Sequence, residues 1–170
     1  MSPLPHIRPL LLIALLLLPA RALPAPEQAR QIITLSAVGD IMMGTTYPED
    51  LLPPDDGKGM FRGALPALAG SDIVLGNLEG PLADGGETTK CKAPGKTCYA
   101  FRTPTRYVGH LADAGFTALH IGNNHANDFG QEGLDSTLRV LADAGIQAVG
   151  GRAVARFTIG GKRVAITGFS

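Results

Sequence analysis

Short apolar runs alternate with amphipathic segments along this chain, an order typical of α/β folds with a parallel sheet. Strands are predicted at the β-branched and apolar runs 32–38, 73–75, 116–121 and 147–149. Helices are predicted at 61–69, at 104–114 with Thr103 as the cap and Pro104 at the first helical position, and at 131–144. The runs 155–159 and 163–167 flank Gly160-Gly161-Lys162, which predicts a hairpin.

Polar side chains follow three successive predicted strands. Asp40 follows the first strand, Asn77 and Glu79 follow the second, and Asn124 and His125 follow the third. The carboxyl ends of parallel strands meet at one edge of a sheet, where ligands bind in α/β folds. Carboxylates, carboxamides and an imidazole suit a divalent cation such as Mn, Fe, Zn or Mg. The sequence therefore predicts a metal site at this edge.

A structural role is the alternative for the same residue types. The Asn and Asp side chains of segment 122–130 could instead fill turn positions and cap the helix at 131–144. The remaining histidines of the predicted elements, His110 and His120, are interpreted as structural, because isolated histidines usually are.

The amino terminus has the layout of a secretory signal peptide. Arg8 precedes the apolar run 10–18, and small residues around Arg21 suggest cleavage after Ala22. We therefore predict a signal peptide at 1–22, a lead-in at 23–31 and export to the periplasm or the extracytoplasmic cell surface. An uncleaved anchor is the alternative, although the apolar run is short for a membrane span.

Charge and cysteine content narrow the function classes. The chain has 15 basic and 15 acidic side chains and no Trp, so it lacks the basic character of a nucleic-acid-binding protein. Its two cysteines, Cys91 and Cys98, flank a Pro-Gly turn, which predicts a local disulfide in an oxidising compartment. A zinc site would need four ligands, and this segment offers two.

Three motifs carry a resemblance to a known family. They are Val38-Gly39-Asp40-Ile41-Met42, Gly76-Asn77-Leu78-Glu79-Gly80-Pro81 and Gly122-Asn123-Asn124-His125-Ala126-Asn127-Asp128-Phe129-Gly130. Over residues 32–170 the chain resembles the capsule-synthesis CapA family, which is linked to poly-γ-glutamate synthesis or export. That family is similar to the calcineurin-like metallophosphoesterases. The resemblance implies the N-terminal portion of an α/β/β/α sandwich with a dinuclear metal site.

The resemblance also implies roles for individual residues. Asp40 matches the aspartate of the first phosphoesterase motif, and Asn124 matches the metal-ligating Asn of the third. His125 matches the catalytic His, which would stabilise the transition state or protonate the leaving oxygen. Glu79, with Asn77, stands where the metal-bridging aspartate falls.

The chain departs from the phosphoesterase pattern in three ways. Met42 occupies the position of a His in the first motif, and Glu79 replaces the shorter bridging Asp. The later His-bearing motifs would lie beyond Ser170. These departures leave the reaction open.

Two functions from different classes follow. One is an exported, metal-dependent hydrolase of the metallophosphoesterase type. The other is a non-catalytic accessory protein that binds an anionic polymer such as poly-γ-glutamate, alongside capsule-assembly proteins and a possible membrane-associated complex; an inactive truncated fragment is a third possibility. Cations near the long loop 82–100 could attract the polymer, or could simply be solvated: Lys90, Lys92, Lys96 and Arg102.

Overall fold

The computed structural model describes residues 32–88, 90 and 98–170. The predicted signal peptide at 1–22 and the lead-in at 23–31 lie outside the described residues. Cys91 lies outside them as well, so its pairing with Cys98 stays a prediction. Within the described ranges, no helix combines the length and the apolar character needed to cross a membrane.

Four strands form a parallel sheet in the order in which they occur along the chain. They are β1 (Leu35–Ile41), β2 (Ile73–Leu78), β3 (Ala118–His120) and β4 (Gln147–Val149). The antiparallel hairpin consists of β5 (Ala155–Ile159) and β6 (Lys162–Ile166). The helices are α1 (Leu65–Leu68), α2 (Val108–Asp113) and α3 (Gly130–Asp143). The predicted α/β class is confirmed.

The two faces of the parallel sheet pack against different layers. On one face, Val74 and Leu119 belong to a core that includes Leu111 of α2 and Leu141 of α3. On the other face, Ala118 packs in a smaller core with residues of the hairpin, namely Ala155, Phe157 and Ile166. Side chains of a strand alternate between faces, so this separation follows from the strand register. The described residues form helix, sheet and hairpin layers.

The first strand continues past its predicted end. Its ladder has an irregularity between Ala37 and Asp40, after which Asp40 pairs with Asn77 and Ile41 pairs with Leu78. This pairing with β2 keeps Asp40 in the strand, whereas the sequence placed it just after the strand. Asp40 therefore has a fixed cross-strand neighbour at the carboxyl edge.

The first predicted helix is much shorter than 61–69. The chain first makes successive tight turns, in which Met60 donates to Gly57 O and Arg62 donates to Gly59 O. Regular helix covers only Leu65–Leu68, with Pro66 in its first turn. Pro has no N–H to donate and fits only the first turn of a helix, so the helix cannot extend back through this position.

The capping role predicted for Thr103 is wrong. Its hydroxyl is buried and donates to Gly44 O at 2.8 Å. Ahead of α2 the chain makes a 3₁₀ turn at Thr105–Tyr107, whose first residue donates from its backbone N–H to Asp84 Oδ1 at 2.9 Å. The Thr105 hydroxyl donates to Asp84 Oδ2 at 2.5 Å. Asp84, from the long loop, thus supplies the acceptors.

We expect Asp84→Asn to destabilise the protein at neutral pH but not at acidic pH. The Thr105 hydroxyl, followed by its backbone N–H, lowers the pKa of Asp84 against the opposing effect of desolvation. A lowered folded-state pKa stabilises the fold above the unfolded pKa, and this contribution is lost as the pH falls through the folded value. Because Asp84 is exposed and its interactions are screened by solvent, urea unfolding should show only a small loss, about 0.5 kcal/mol at pH 7, that shrinks below about pH 4. The same loss at both pH values, or an equal loss in exposed Asp50→Asn, would contradict this account.

Candidate functional site

The carboxyl ends of the first three strands form one polar row. Asp40 pairs with Asn77, and Asn77 pairs with His120, in register across the sheet. The Asn77 amide nitrogen donates to Asp40 Oδ1 and to Glu79 Oε2, both at 2.8 Å. Both predicted metal-binding carboxylates therefore accept a hydrogen bond from the same nitrogen atom.

His125 lies between two carboxylates at the same edge. Its Nε2 is 3.6 Å from Glu79 Oε1, and its Nδ1 is 2.7 Å from Asp128 Oδ2. The imidazole is 13% exposed and lies beside the Phe101 ring, with centroids 4.5 Å apart. The structure thus brings the predicted catalytic residue next to Glu79, one of the two predicted metal-binding carboxylates.

Asp128 is a buried partner of His125, with 1% of its surface exposed. Its Oδ2 also accepts the Phe101 N–H at 2.8 Å. The interpretation of this Asp as a helix cap is wrong, because α3 is preceded by Phe129 and receives no side-chain cap. A carboxylate is acceptor-only, so the Nδ1 of His125 must donate to it.

The Lys90 ammonium completes this cluster. It is 2.6 Å from Asp128 Oδ1 and 3.0 Å from both Asn124 O and His125 Nδ1, and its side chain is 33% exposed. Because His125 Nδ1 donates to Asp128, the ammonium directs its hydrogens to Asp128 and to Asn124 O. The solvated-loop interpretation is therefore wrong for Lys90.

Of the other cations named near the long loop, only Arg102 lies within the described residues. Lys92 and Lys96 lie outside the described residues. The Arg102 guanidinium bonds to Thr46 and to Gly86 O, and it lies 5.1 Å from the Phe129 ring centroid. Arg102 therefore ties loops together.

The structure gives the two adjacent asparagines different places. Asn124, the predicted ligand, is exposed. Asn123 was not singled out by the sequence, yet its Nδ2 donates to Asn77 Oδ1 and to Leu78 O, both at 2.8 Å. Its Oδ1 accepts the His125 N–H at 3.0 Å. Asn123 thus joins the loop that carries His125 to the end of β2.

The described side chains at this edge have the chemistry to ligate a divalent cation, but the carboxylates and imidazoles among them are too few to form a complete site. The carboxylates of Asp40 and Glu79 accept hydrogen bonds from the same donor, Asn77 Nδ2. Hard cations favour carboxylate oxygens as ligands. Within residues 32–88, 90 and 98–170, no three His, Cys, Asp or Glu side chains could hold a metal ion. Further ligands would have to be amide groups such as Asn124. The predicted ligand set stays a prediction.

Comparisons with known proteins identify relatives of this chain. The family model described as bacterial capsule synthesis protein PGA_cap matches residues 34–170. The chain is 29% identical to the capsule biosynthesis protein CapA of Bacillus anthracis and 34% identical to the PGA biosynthesis protein CapA of Bacillus subtilis. These two matches cover 86% and 70% of the present chain. It is 31% identical, over 85% of the present chain, to a probable polyglutamine synthesis accessory protein of Mycobacterium tuberculosis. The matches span only 37%, 30% and 39% of those proteins. The chain belongs to the bacterial capsule synthesis protein family, as its three motifs predicted.

Proposed function

We propose that this protein acts in the synthesis or export of an anionic capsule polymer of the polyglutamate type. The support is the family match together with relatives named for capsule, PGA or polyglutamine synthesis. We propose that it acts outside the cytoplasm, because residues 1–22 have the pattern of a signal peptide. Capsule-assembly proteins, in a possible membrane-associated complex, are the expected protein partners.

For the chemistry, we propose a divalent-cation-dependent hydrolytic centre at the carboxyl edge of the sheet. The observation that carries this proposal is the line from Asp128 through His125 to Glu79, with contacts of 2.7 Å and 3.6 Å. A carboxylate that fixes a histidine, which in turn faces a second carboxylate, is an arrangement suited to proton transfer. Asp40 is held at the same place through Asn77.

Asp40 and Glu79 would hold the cation, with amide oxygens such as that of Asn124 completing its ligands. When bound, a divalent cation supplies Lewis-acid polarisation of a phosphoryl or amide bond and activates water. His125 moves a proton at Nε2, to or from the reacting oxygen or nitrogen. Asp128 holds the proton on Nδ1, which leaves Nε2 free for this transfer.

Binding without catalysis is the second candidate function. The observation in its favour is the Lys90 ammonium, which is one-third exposed beside His125 and could attract a polymer carboxylate. On this alternative the carboxyl edge would bind poly-γ-glutamate, with or without a bridging cation, and release it unchanged.

Calorimetric titration of the full chain with Mn²⁺ tests the metal centre. Asp40→Asn and Glu79→Gln should each weaken Mn²⁺ binding by about tenfold or more, because each removes one anionic ligand. Asp113→Asn, an exposed carboxylate on α2, is the matched control and should leave binding unchanged. Equal Mn²⁺ affinity in all four proteins would overturn the assignment. Retention of γ-linked glutamate oligomers without any cleavage, with or without Mn²⁺, would favour the binding function.

A further inference from the structure

His120 is the third member of the polar row, and neither the sequence pattern nor the proposed mechanism gives it a role. It pairs in register with Asn77, which pairs with Asp40. Its Nδ1 lies 3.0 Å from Asn77 Oδ1. The imidazole thus contacts the residue that holds the two carboxylates together.

The direction of each hydrogen bond around Asn77 follows from backbone groups whose roles are fixed. The His125 N–H can only donate, so the Asn123 atom at 3.0 Å from it is the amide oxygen. Leu78 O can only accept, so the Asn123 atom at 2.8 Å from it is the amide nitrogen. That nitrogen also lies 2.8 Å from the Asn77 side chain, which must therefore present its oxygen.

The remaining assignments follow from the orientation of Asn77. Its nitrogen faces the acceptor-only carboxylates of Asp40 and Glu79. Its oxygen faces Asn123 on one side and His120 Nδ1 on the other. Because this oxygen can only accept, the Nδ1 of His120 must carry a proton.

The other nitrogen of His120 is enclosed. Its Nε2 is buried and has no hydrogen-bond partner among the described residues. A Cβ at Gly168 would overlap His120 Cδ2 and lie 2.6 Å from Nε2, and a Cβ at Gly150 would lie 2.8 Å from both atoms. Glycines therefore let the backbone hold the ring against Asn77, with Nδ1 as its donor.

We infer that His120 is a positioning residue, which acts through the Asn77 amide to hold Asp40 and Glu79 at one point. The Asn77 oxygen accepts from two donors, Asn123 Nδ2 and His120 Nδ1. Loss of the Nδ1 donor removes one of them, so the amide is held less firmly with its nitrogen toward the carboxylates. The consequence for cation binding rests on the proposed function. The hydrogen-bond directions do not.

Nitrogen NMR of the metal-free, ¹⁵N-labelled full chain tests the inference directly. Long-range ¹H–¹⁵N correlation should show the His120 proton on Nδ1 and an unprotonated Nε2. A ring with its single proton on Nε2 would overturn the inference, because Nδ1 could then not donate to Asn77.

Substitutions test whether the contact positions the carboxylates. His120→Leu should shift the side-chain NH₂ signals of Asn77 and weaken Mn²⁺ binding by about tenfold, the usual scale for loss of a supporting hydrogen bond. His120→Asn places an amide nitrogen near the position of Nδ1 and should restore affinity to within about threefold. His110→Leu, the same change on α2, is the matched control.

Three results separate the inference from the proposed function. The positioning role would be overturned if His120→Leu changed the Asn77 signals and the Mn²⁺ affinity no more than His110→Leu does. Failure of His120→Asn to restore either readout would do so as well. If the wild type binds no Mn²⁺, the proposed function fails, while the His120 tautomer and the Asn77 signals still decide the inference.

Discussion

His125→Ala should lower metal-dependent turnover by roughly 10²–10⁴-fold, the range for loss of a general acid or base. The imidazole is held between Glu79 Oε1 and Asp128 Oδ2, which fixes the position from which its Nε2 would move a proton. Turnover is measured as Mn²⁺-dependent cleavage of γ-linked glutamate oligomers and of a chromogenic phosphodiester. Mn²⁺ affinity should change by less than about threefold, because the proposed ligands remain.

The control for this prediction is His110→Ala. His110 lies on α2, where its Nε2 is 2.8 Å from Asp56 O. Its replacement by Ala should leave turnover unchanged. Unchanged turnover in His125→Ala would remove His125 from the mechanism. A loss of Mn²⁺ binding as large as the loss of turnover would instead make His125 a metal ligand.

The sequence predicted the elements that place the site, because their signals are local. β4 has its predicted bounds, Gln147–Val149, and α3 spans Gly130–Asp143 against a prediction of 131–144. Polar residues at strand ends located Asp40, Glu79 and His125 at one edge, since parallel strands share their polarity. The continuation of β1 through Asp40 was missed because it depends on pairing with β2, which is 37 residues away in the chain.

Residues that act through long-range contacts were not predicted. Lys90 reaches Asp128 across 38 residues of sequence, and His120 reaches Asn77 across 43. No local pattern distinguishes Lys90 from the loop lysines around it. Asp128 had a usable signal, its three-residue spacing from His125, but the same position also fits a helix cap. Side-chain geometry decided between these roles.

Asp128→Ala should lower the free energy of unfolding of the metal-free protein by about 2–4 kcal/mol. The substitution leaves the Phe101 N–H without its acceptor and the Lys90 ammonium without its counter-ion, while His125 loses the group that fixes its tautomer. Asp128→Asn should cost less, because its amide oxygen can still accept the Phe101 N–H. Urea unfolding of the three proteins measures the difference.

A double-mutant cycle shows whether the stability lost in Asp128→Ala includes the ion pair between Lys90 of the long loop and Asp128. In the wild type, Lys90→Met should cost about 1 kcal/mol, a modest value because the lysine is one-third exposed. In the Asp128→Ala background the same change should cost nothing or stabilise the fold, since the cation has lost its partner. Lys58→Met, at an exposed position, is the control and should behave alike in both backgrounds. If Lys90→Met costs the same with and without Asp128, the two charges are not coupled, and the long loop must be held in place by other contacts.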